Sequence, residues 1–298
     1  KLEKMELRDG NYELFKGLVV YKIFVDMIFI IGENSRLGQV LNNNQNSVII
    51  NRDVYQDWYK NDAEKKISLF FKQWSCENSI IYVVAGVLNP KLPKKEHVKI
   101  NFLLAKNIIK GASKVGIKVV TFGTIMEELM ADENPYVHSK YLLGEFVKDL
   151  SNINHNILHV RMHTLYGGNN LPVPHMFLGQ IYEAIKNNSV FKMSSGEQIR
   201  EYHHIDDESV AINSIVGSGA YGVVDLSHGR PEKLKAIAEH IFNQLELHDL
   251  LSIENKAGSI HENYNVVFAR TEEVSNLEFR DTLKGIYSYI RHCIKSNG

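Results

Sequence analysis

Short apolar runs punctuate the first half of the chain, and each ends in a small or polar residue. Met27-Ile-Phe-Ile-Ile31 runs into Gly32, and Ser47-Val-Ile-Ile50 runs into Asn51-Arg52-Asp53. Ile80-Ile-Tyr-Val-Val84 ends at Ala85-Gly86, and Val119-Val-Thr-Phe122 ends at Gly123-Thr124. Ile157-Leu-His-Val160 is a fifth run. Runs this short and rich in β-branched residues predict strands buried on both faces. Helical stripes lie between them. Ile100, Leu103, Leu104, Ile108, Ala112 and Val115 recur at three- and four-residue intervals, as do Leu142, Leu143, Phe146, Val147 and Leu150. Strands alternating with helices predict right-handed βαβ units and an α/β fold with a doubly wound parallel sheet.

Beyond Val160 the alternation weakens. Residues 27–165 are expected to form the sheet domain, with 205–228 returning to it. Residues 166–204 and 229–298 are expected to form a smaller, irregular lobe, with turns at Asn187-Asn188-Ser189 and Ser194-Ser195-Gly196. Residues 1–26 stand as an extension of unknown role, in which Leu18–Phe24 is strand-like.

The first strand is followed by Gly32-Glu-Asn-Ser35-Arg36-Leu37-Gly38. A dinucleotide loop needs glycine where the backbone turns, where it approaches the pyrophosphate, and where helix packs on strand. The outer two glycines are present and Ser35 takes the middle place, where a positive φ would cost more than at glycine. After the second strand come both Arg52 and Asp53. An acid there favours the free ribose of NAD, and an arginine favours the 2′-phosphate of NADP. Arg36 adds a second arginine, so the balance leans to NADP.

Tyr136-Val-His-Ser-Lys140 places a phenol and an ammonium four residues apart, on one face of a helix. A nearby ammonium stabilises the phenolate, so such a tyrosine can exchange a proton. Tyr12…Lys16 and Tyr182…Lys186 share the spacing. Only Tyr136…Lys140 opens the helix after the Gly123-Thr124 strand end, where Pro135 suits a helix start. Parallel strands present ligands at their carboxyl ends, so Thr124 and Tyr136 are expected to meet on one substrate oxygen.

Composition adds only exclusions. Across 298 residues, 34 basic against 35 acidic side chains give a net charge of −1, which points to no nucleic-acid partner. Cys76 and Cys293 are far apart and fit a reducing cytoplasm. No run reaches membrane-spanning length. Thirteen histidines offer no metal-binding spacing, so no metal is expected, and His204 is read as a packed or capping residue near Asp207.

In order along the chain, these motifs resemble an extended short-chain dehydrogenase/reductase of the NAD-dependent epimerase/dehydratase family, whose members act mainly on nucleotide sugars. The resemblance runs from about Met27 onward. It takes in the glycine loop, Ala85-Gly86, Asn101, Thr124, Tyr136…Lys140 and Arg161…Tyr166-Gly167. It continues through Arg200-Glu-Tyr-His-His-Ile-Asp-Asp207 and Leu226-Ser-His-Gly-Arg-Pro231. It implies a Rossmann-type sheet. It implies that Gly32, Ser35, Arg36, Leu37, Gly38, Arg52, Asp53, Ala85, Gly86 and Asn101 line an NAD or NADP site, with Asp57-Trp58 at the adenine, while the residues alone read Trp58 as packing. Thr124 would hold the reacting oxygen, Tyr136 would be the acid/base, and Lys140 would tune the tyrosine and hold the nicotinamide ribose. Asn169, Asn170 and Arg200 would contact the sugar-nucleotide diphosphate. The helices at 100–115 and 139–150 would pair two subunits into a homodimer.

The arginines, and a run Arg52-Asp53…Asp57 similar to that of GDP-fucose synthases, favour a reductase of a nucleotide-linked 4-keto sugar. A 4-epimerase with bound NAD would use the same residues. A non-catalytic nucleotide sensor is the reading from another class. A 4,6-dehydratase is disfavoured. That subgroup follows its threonine with Asp-Glu, whereas Thr124 is followed by Ile125-Met126, and Glu127 and Glu128 read as helix-start charges.

Overall fold

A computed structural model describes residues 27–43, 47–73, 78–130, 134–258 and 262–296. The Leu18–Phe24 stretch, Trp74 and Cys76 lie outside the described residues.

The first half alternates as expected: β1 (Ile28–Ile31), α1 (Arg36–Asn43), β2 (Ser47–Ile50), α2 (Arg52–Tyr55), α3 (Ala63–Lys72) and β3 (Ile80–Val83). A long helix then runs through α4 (Lys94–His97), a π-helical stretch at Val98–Leu104 and α5 (Ala105–Ser113). It leads to β4 (Lys118–Thr124), α6 (Met126–Leu129), α7 (Pro135–Ser151) and β5 (Ile157–Met162). The second half contains β6 (Thr164–Tyr166), α8 (Phe177–Lys186), β7 (Phe191–Met193), β8 (Ile199–Arg200), β9 (Tyr202–His204) and α9 (Ile205–Gly217). It continues with β10 (Gly222–Leu226), β11 (Glu232–Lys233), α10 (Leu234–Gln244), β12 (Leu251–Ile253) and α11 (Thr282–Ser296).

Six strands form one sheet in the order β10-β5-β4-β3-β1-β2, and every pairing is parallel. The apolar runs have no polar alternation because both faces are covered. Phe29 and Ile31 of β1 point into one core with Ile67, Phe71, Ile108 and Leu143 from α3, α5 and α7. Ile30, between them, points into the opposite core with Leu37 and Leu41 of α1 and Ile212 and Ile215 of α9. A third core, with Ile181, Ile237, Ile241, Phe242, Ile286 and Ile290, holds α8, α10 and α11 together.

Among the described residues, the smaller lobe has two-stranded pairings: β6 with β9, β8 with β11, and β7 with β12. Residues 164–204 therefore leave the large sheet after β5, and the chain returns to it through α9 and β10. The helical stripe predicted over 100–115 is present, but its first part is wound as a π-helix. Such a stretch frequently marks a functional site.

Candidate active site

The glycine loop turns directly out of β1. Gly32 has φ +102°, and a Cβ there would lie 2.3 Å from the Ala85 amide nitrogen, so only glycine fits. A Cβ at Gly38 would lie 2.6 Å from the Gly32 carbonyl oxygen. Ser35 does not take a left-handed conformation. Its hydroxyl instead donates to the Gly32 carbonyl at 2.9 Å and accepts the Gly38 amide at 3.0 Å, which caps α1. The expected cost at the middle position is therefore not incurred. The cradle fits a dinucleotide pyrophosphate at the start of a helix, where amides converge.

The second wall follows β3. Asn101, on the π-helical stretch and 1% exposed, accepts the Val87 amide at 2.8 Å. It donates to the Val87 carbonyl at 3.0 Å and to Ser139 Oγ at 3.0 Å. A Cβ at Gly86 would sit 3.2 Å from Asn101 Oδ1 and 3.8 Å from Lys140 Nζ. Asn101 thus ties the Ala85-Gly86-Val87 loop to α7.

Helix α7 starts as its sequence predicts. Asn134 accepts the Val137 amide at 2.9 Å as cap, and Pro135 takes the first turn. Tyr136 is half-buried and Lys140 is 8% exposed. Lys140 Nζ donates to the Phe122 carbonyl at 2.7 Å. Burial pulls its ammonium down to about 8, against the opposing attraction of Glu127. Burial, and then Glu127, push the Tyr136 phenol well above the ordinary tyrosine value.

Thr124, Tyr136 and Arg200 line one cleft of about 800 Å³ between the sheet and the smaller lobe. Its other walls are largely apolar, including Met126, Met162, Met176 and Phe177. Arg200 donates from one nitrogen to both oxygens of Glu262 at 2.7 Å. Arg36 also reaches the cleft, where its guanidinium donates to the Leu171 carbonyl.

Other predicted residues stand elsewhere. Asn169 and Asn170 are exposed and outside the cleft lining, because left-handed Gly167 and Gly168 carry the chain away. The Asn170 carbonyl accepts the Tyr289 hydroxyl at 2.7 Å. Trp58 is fully buried and edge-on to Phe70 and Phe71, so packing accounts for it rather than an open adenine-binding face. Asp57 is exposed and paired with Lys60 at 2.9 Å. Arg52 and Asp53 are exposed at the start of α2. His204 caps α9 by accepting the Asp206 amide at 3.3 Å.

Two groups escaped the sequence reading. Glu127 is not a solvated helix-start charge but is 3% exposed. It accepts the Thr124 amide at 2.6 Å and pairs with His159 at 3.2 Å. Glu128 turns away from the cleft to Arg161 at 2.7 Å. The second group is a buried cluster beneath the cleft. His203 lies between Glu201 at 2.6 Å and Glu208 at 2.5 Å. Glu201 also accepts the Ser227 hydroxyl at 2.9 Å. Glu201, His203 and His228 are close enough to share a cation. Each imidazole nitrogen is nonetheless engaged: those of His203 by the two carboxylates, those of His228 by the Tyr202 carbonyl and the Arg230 amide. The sequence signal for the first group is a pair of glycines, Gly123 and Gly144, which border the Glu127 carboxylate; the second group has none.

Comparison with known proteins bears on the family and the fold. The profile described as "NAD dependent epimerase/dehydratase family" matches residues 70–220, about half of the chain. No curated protein sequence matches it. The UDP-glucose 4-epimerase of Thermotoga maritima, solved with UDP-glucose, is similar in fold with a TM-score of 0.72 at 14% identity, over 91% of this chain and 99% of that one. The dTDP-4-dehydrorhamnose reductase of Bacillus anthracis, in complex with NADP, gives a TM-score of 0.68 at 18% identity, over 90% and 98%. RMD from Pseudomonas aeruginosa, complexed with NADPH, gives 0.71 at 13%, over 92% and 100%. The six-stranded parallel sheet, the glycine cradle and the profile match together place this chain in the NAD-dependent epimerase/dehydratase family.

Proposed function

We propose that this protein is an NADP(H)-dependent reductase of a 4-keto sugar carried on a nucleoside diphosphate. One observation carries the reading. Thr124, Tyr136 and Arg200 face a single cleft, while both carboxylates that follow Thr124 are engaged outside it, Glu127 by His159 and Glu128 by Arg161. That supports proton exchange at a carbinol or ketone. It leaves dehydration without the acid and base it needs.

The Gly32–Gly38 loop and the start of α1 would hold the pyrophosphate, Ala85 and Gly86 would flank the cofactor, and Lys140 would reach the nicotinamide ribose. When bound, the nicotinamide supplies the hydride for carbonyl reduction. Tyr136 donates its phenolic proton to the ketone oxygen, and the Thr124 hydroxyl holds that oxygen in place. Lys140, as an ammonium, stabilises the phenolate left behind. Arg200 meets the diphosphate by exchanging Glu262 for phosphate oxygens, a geometry its guanidinium suits. Arg36 is turned toward Leu171, which leaves Arg52 as the partner for a 2′-phosphate.

The reading includes a homodimer through the outer faces of the π-helical stretch, α5 and α7. There Phe102 and Phe146 meet edge-on at 6.4 Å with the Lys106 ammonium over both rings. Light scattering that gave a monomer would contradict that part.

The deciding experiment has two steps. Denaturing the purified protein and identifying any released nucleotide by mass spectrometry reads the cofactor. Mixing the protein with NADPH and a panel of 4-keto nucleotide sugars reads the reaction. Exchangeable NADP and substrate-dependent NADPH oxidation are expected. Tightly held NAD with no net oxidation would replace the reductase by the 4-epimerase. No uptake of either nucleotide would remove the enzyme reading altogether.

A further inference from the structure

Tyr136, Lys140 and Gly144 form one stripe along α7, each four residues from the next, so they share a face. That face packs on the carboxyl end of β4, where Gly123 and Thr124 lie. Between the two sits the carboxylate of Glu127. A Cβ at Gly123 would lie 2.1 Å from Glu127 Oε1, and a Cβ at Gly144 would lie 2.7 Å from Glu127 Oε2. Both glycines leave the socket that this carboxylate occupies. One of its oxygens accepts the Thr124 amide and the other faces His159 Nε2. His159 is held in turn by the Thr121 hydroxyl at 2.8 Å from Nδ1.

A buried carboxylate is costly unless it is paired and hydrogen-bonded. Here both conditions are met by residues of the reaction centre or their immediate supports. Among the described residues, the charged or titratable groups around the socket are Tyr136 and Lys140 on α7, His159 on β5 and Glu127 itself on α6. Arg161 on β5 is engaged by Glu128 and Asp225 on the far side. We infer that Glu127 is a positioning residue of the proton-transfer site: clamped by His159, it fixes the Thr124 main chain and supplies the counter-charge for Lys140. The inference rests on the proposed roles of Thr124, Tyr136 and Lys140, and adds to them a residue that touches neither substrate nor cofactor.

The test uses Glu127→Gln, which keeps the shape and removes the charge, and Gly144→Ala, which crowds the carboxylate and removes no titratable group. Two readouts are taken on folded protein. The first is the titration of Lys140, followed by NMR on protein with ¹³Cε-labelled lysine and assigned with Lys140→Arg, with no substrate present. The second is the pH profile of kcat/KM. In Glu127→Gln the Lys140 titration is expected to move down from about 8 by about one pH unit, and the alkaline limb of kcat/KM to move with it. Gly144→Ala is expected to shift both in the same direction, by less. A merely structural role would lower activity equally at every pH. Unmoved titration and an unmoved limb in folded Glu127→Gln would overturn the inference. If the wild type turned over no nucleotide sugar, the proposed function would fall, and the Lys140 titration would still decide the role of Glu127.

Discussion

The backbone of Gly32 and the backbone of Ala85 leave no room for a methyl group between them. A Cβ at position 32 would sit 2.3 Å from the Ala85 nitrogen, and that nitrogen is itself fixed by donating to the Ile31 carbonyl at 2.8 Å. The ends of β1 and β3 are thus pinned together at the floor of the cofactor cradle. Gly32→Ala must distort this junction and adopt a φ of +102° with a side chain. It is expected to cost about 1–3 kcal/mol of stability from the backbone conformation alone and to abolish dinucleotide binding. Urea denaturation together with NADPH fluorescence titration checks both. Wild-type affinity in the variant would rule out this loop as the cradle.

Ser35 makes a milder prediction. Its hydroxyl caps α1 through the Gly38 amide, so Ser35→Ala should lose about 0.5–2 kcal/mol. Ser35→Gly should lose only a few tenths of that unit, because glycine is a tolerable cap. Thermal melts of the two variants compare them directly, and equal losses would remove the cap from the account.

Tyr136 is the residue on which the chemistry turns. Tyr136→Phe removes the proton donor and is expected to lower kcat by about 10²–10⁴-fold with cofactor affinity little changed. Turnover retained within a few-fold would favour a scaffold that binds nucleotide without reacting.

Arg200 faces the cleft already paired with Glu262. Arg200→Gln should raise KM for the nucleotide sugar by at least about tenfold with a small effect on kcat, since a charge-assisted pair contributes about 1.5–3 kcal/mol. Steady-state kinetics separates the two constants. A fall in kcat alone would place Arg200 at the reacting carbon instead of the diphosphate.

The Glu201–His203–Glu208 cluster predicts how stability follows pH. Burial disfavours the His203 charge, but Glu208 and Glu201 hold it up to about 9. A folded value above the unfolded 6.5 stabilises fully below 6.5, and that contribution is lost as pH rises toward 9. Burial instead pulls His163, which lines the cleft 3.9 Å from Glu201, and His228 down to about 4. Their contribution is present above 6.5 and is lost as pH falls toward 4. Stability should therefore peak near pH 6.5 and decline on both sides. His203→Ala leaves two buried carboxylates without their partner and should cost about 3–5 kcal/mol. Denaturant midpoints across the pH range test this, and a flat profile between pH 6.5 and 9 would show that His203 is not charged in the fold.

The sheet was readable from sequence because its strands are covered on both faces, so that Ile28–Ile31, Ser47–Ile50 and Ile80–Val83 show as bare apolar runs. Position, and not spacing, singled out Tyr136…Lys140, and the pair does stand in the first turns of α7 with Tyr136 on the cleft; its chemical role belongs to the proposal. Glu127 was misread because a carboxylate in the first turn of a helix resembles surface charge. Its burial depends on the side chains that Gly123, four residues before it, and Gly144, seventeen after it, lack, and neither separation belongs to a pattern that marks a buried carboxylate. Trp58 has two readings, packing from the residues and the adenine from its family position, and the aromatic cluster with Phe70 and Phe71 encloses it as packing requires. The buried histidine cluster joins Glu201, His203 and Glu208 to Ser227 and His228, and proximity in space across that gap leaves no periodic trace.

The return of the chain to the large sheet through β10 also governs how the protein is made. β5 pairs with β4 on one side and with β10 on the other, and β10 is synthesised some sixty residues later, after the smaller-lobe strands β6 to β9. A nascent chain that has reached only Arg200 therefore presents β5 with an unpaired edge, the kind of edge that templates aggregation. Fragments ending before Leu226 are expected to need chaperone cover, and the two lobes will not separate as independently expressed pieces. The reaction cleft is completed later still, because Glu262, Asn263, Val266 and Phe268, which line it, follow β10 in the chain.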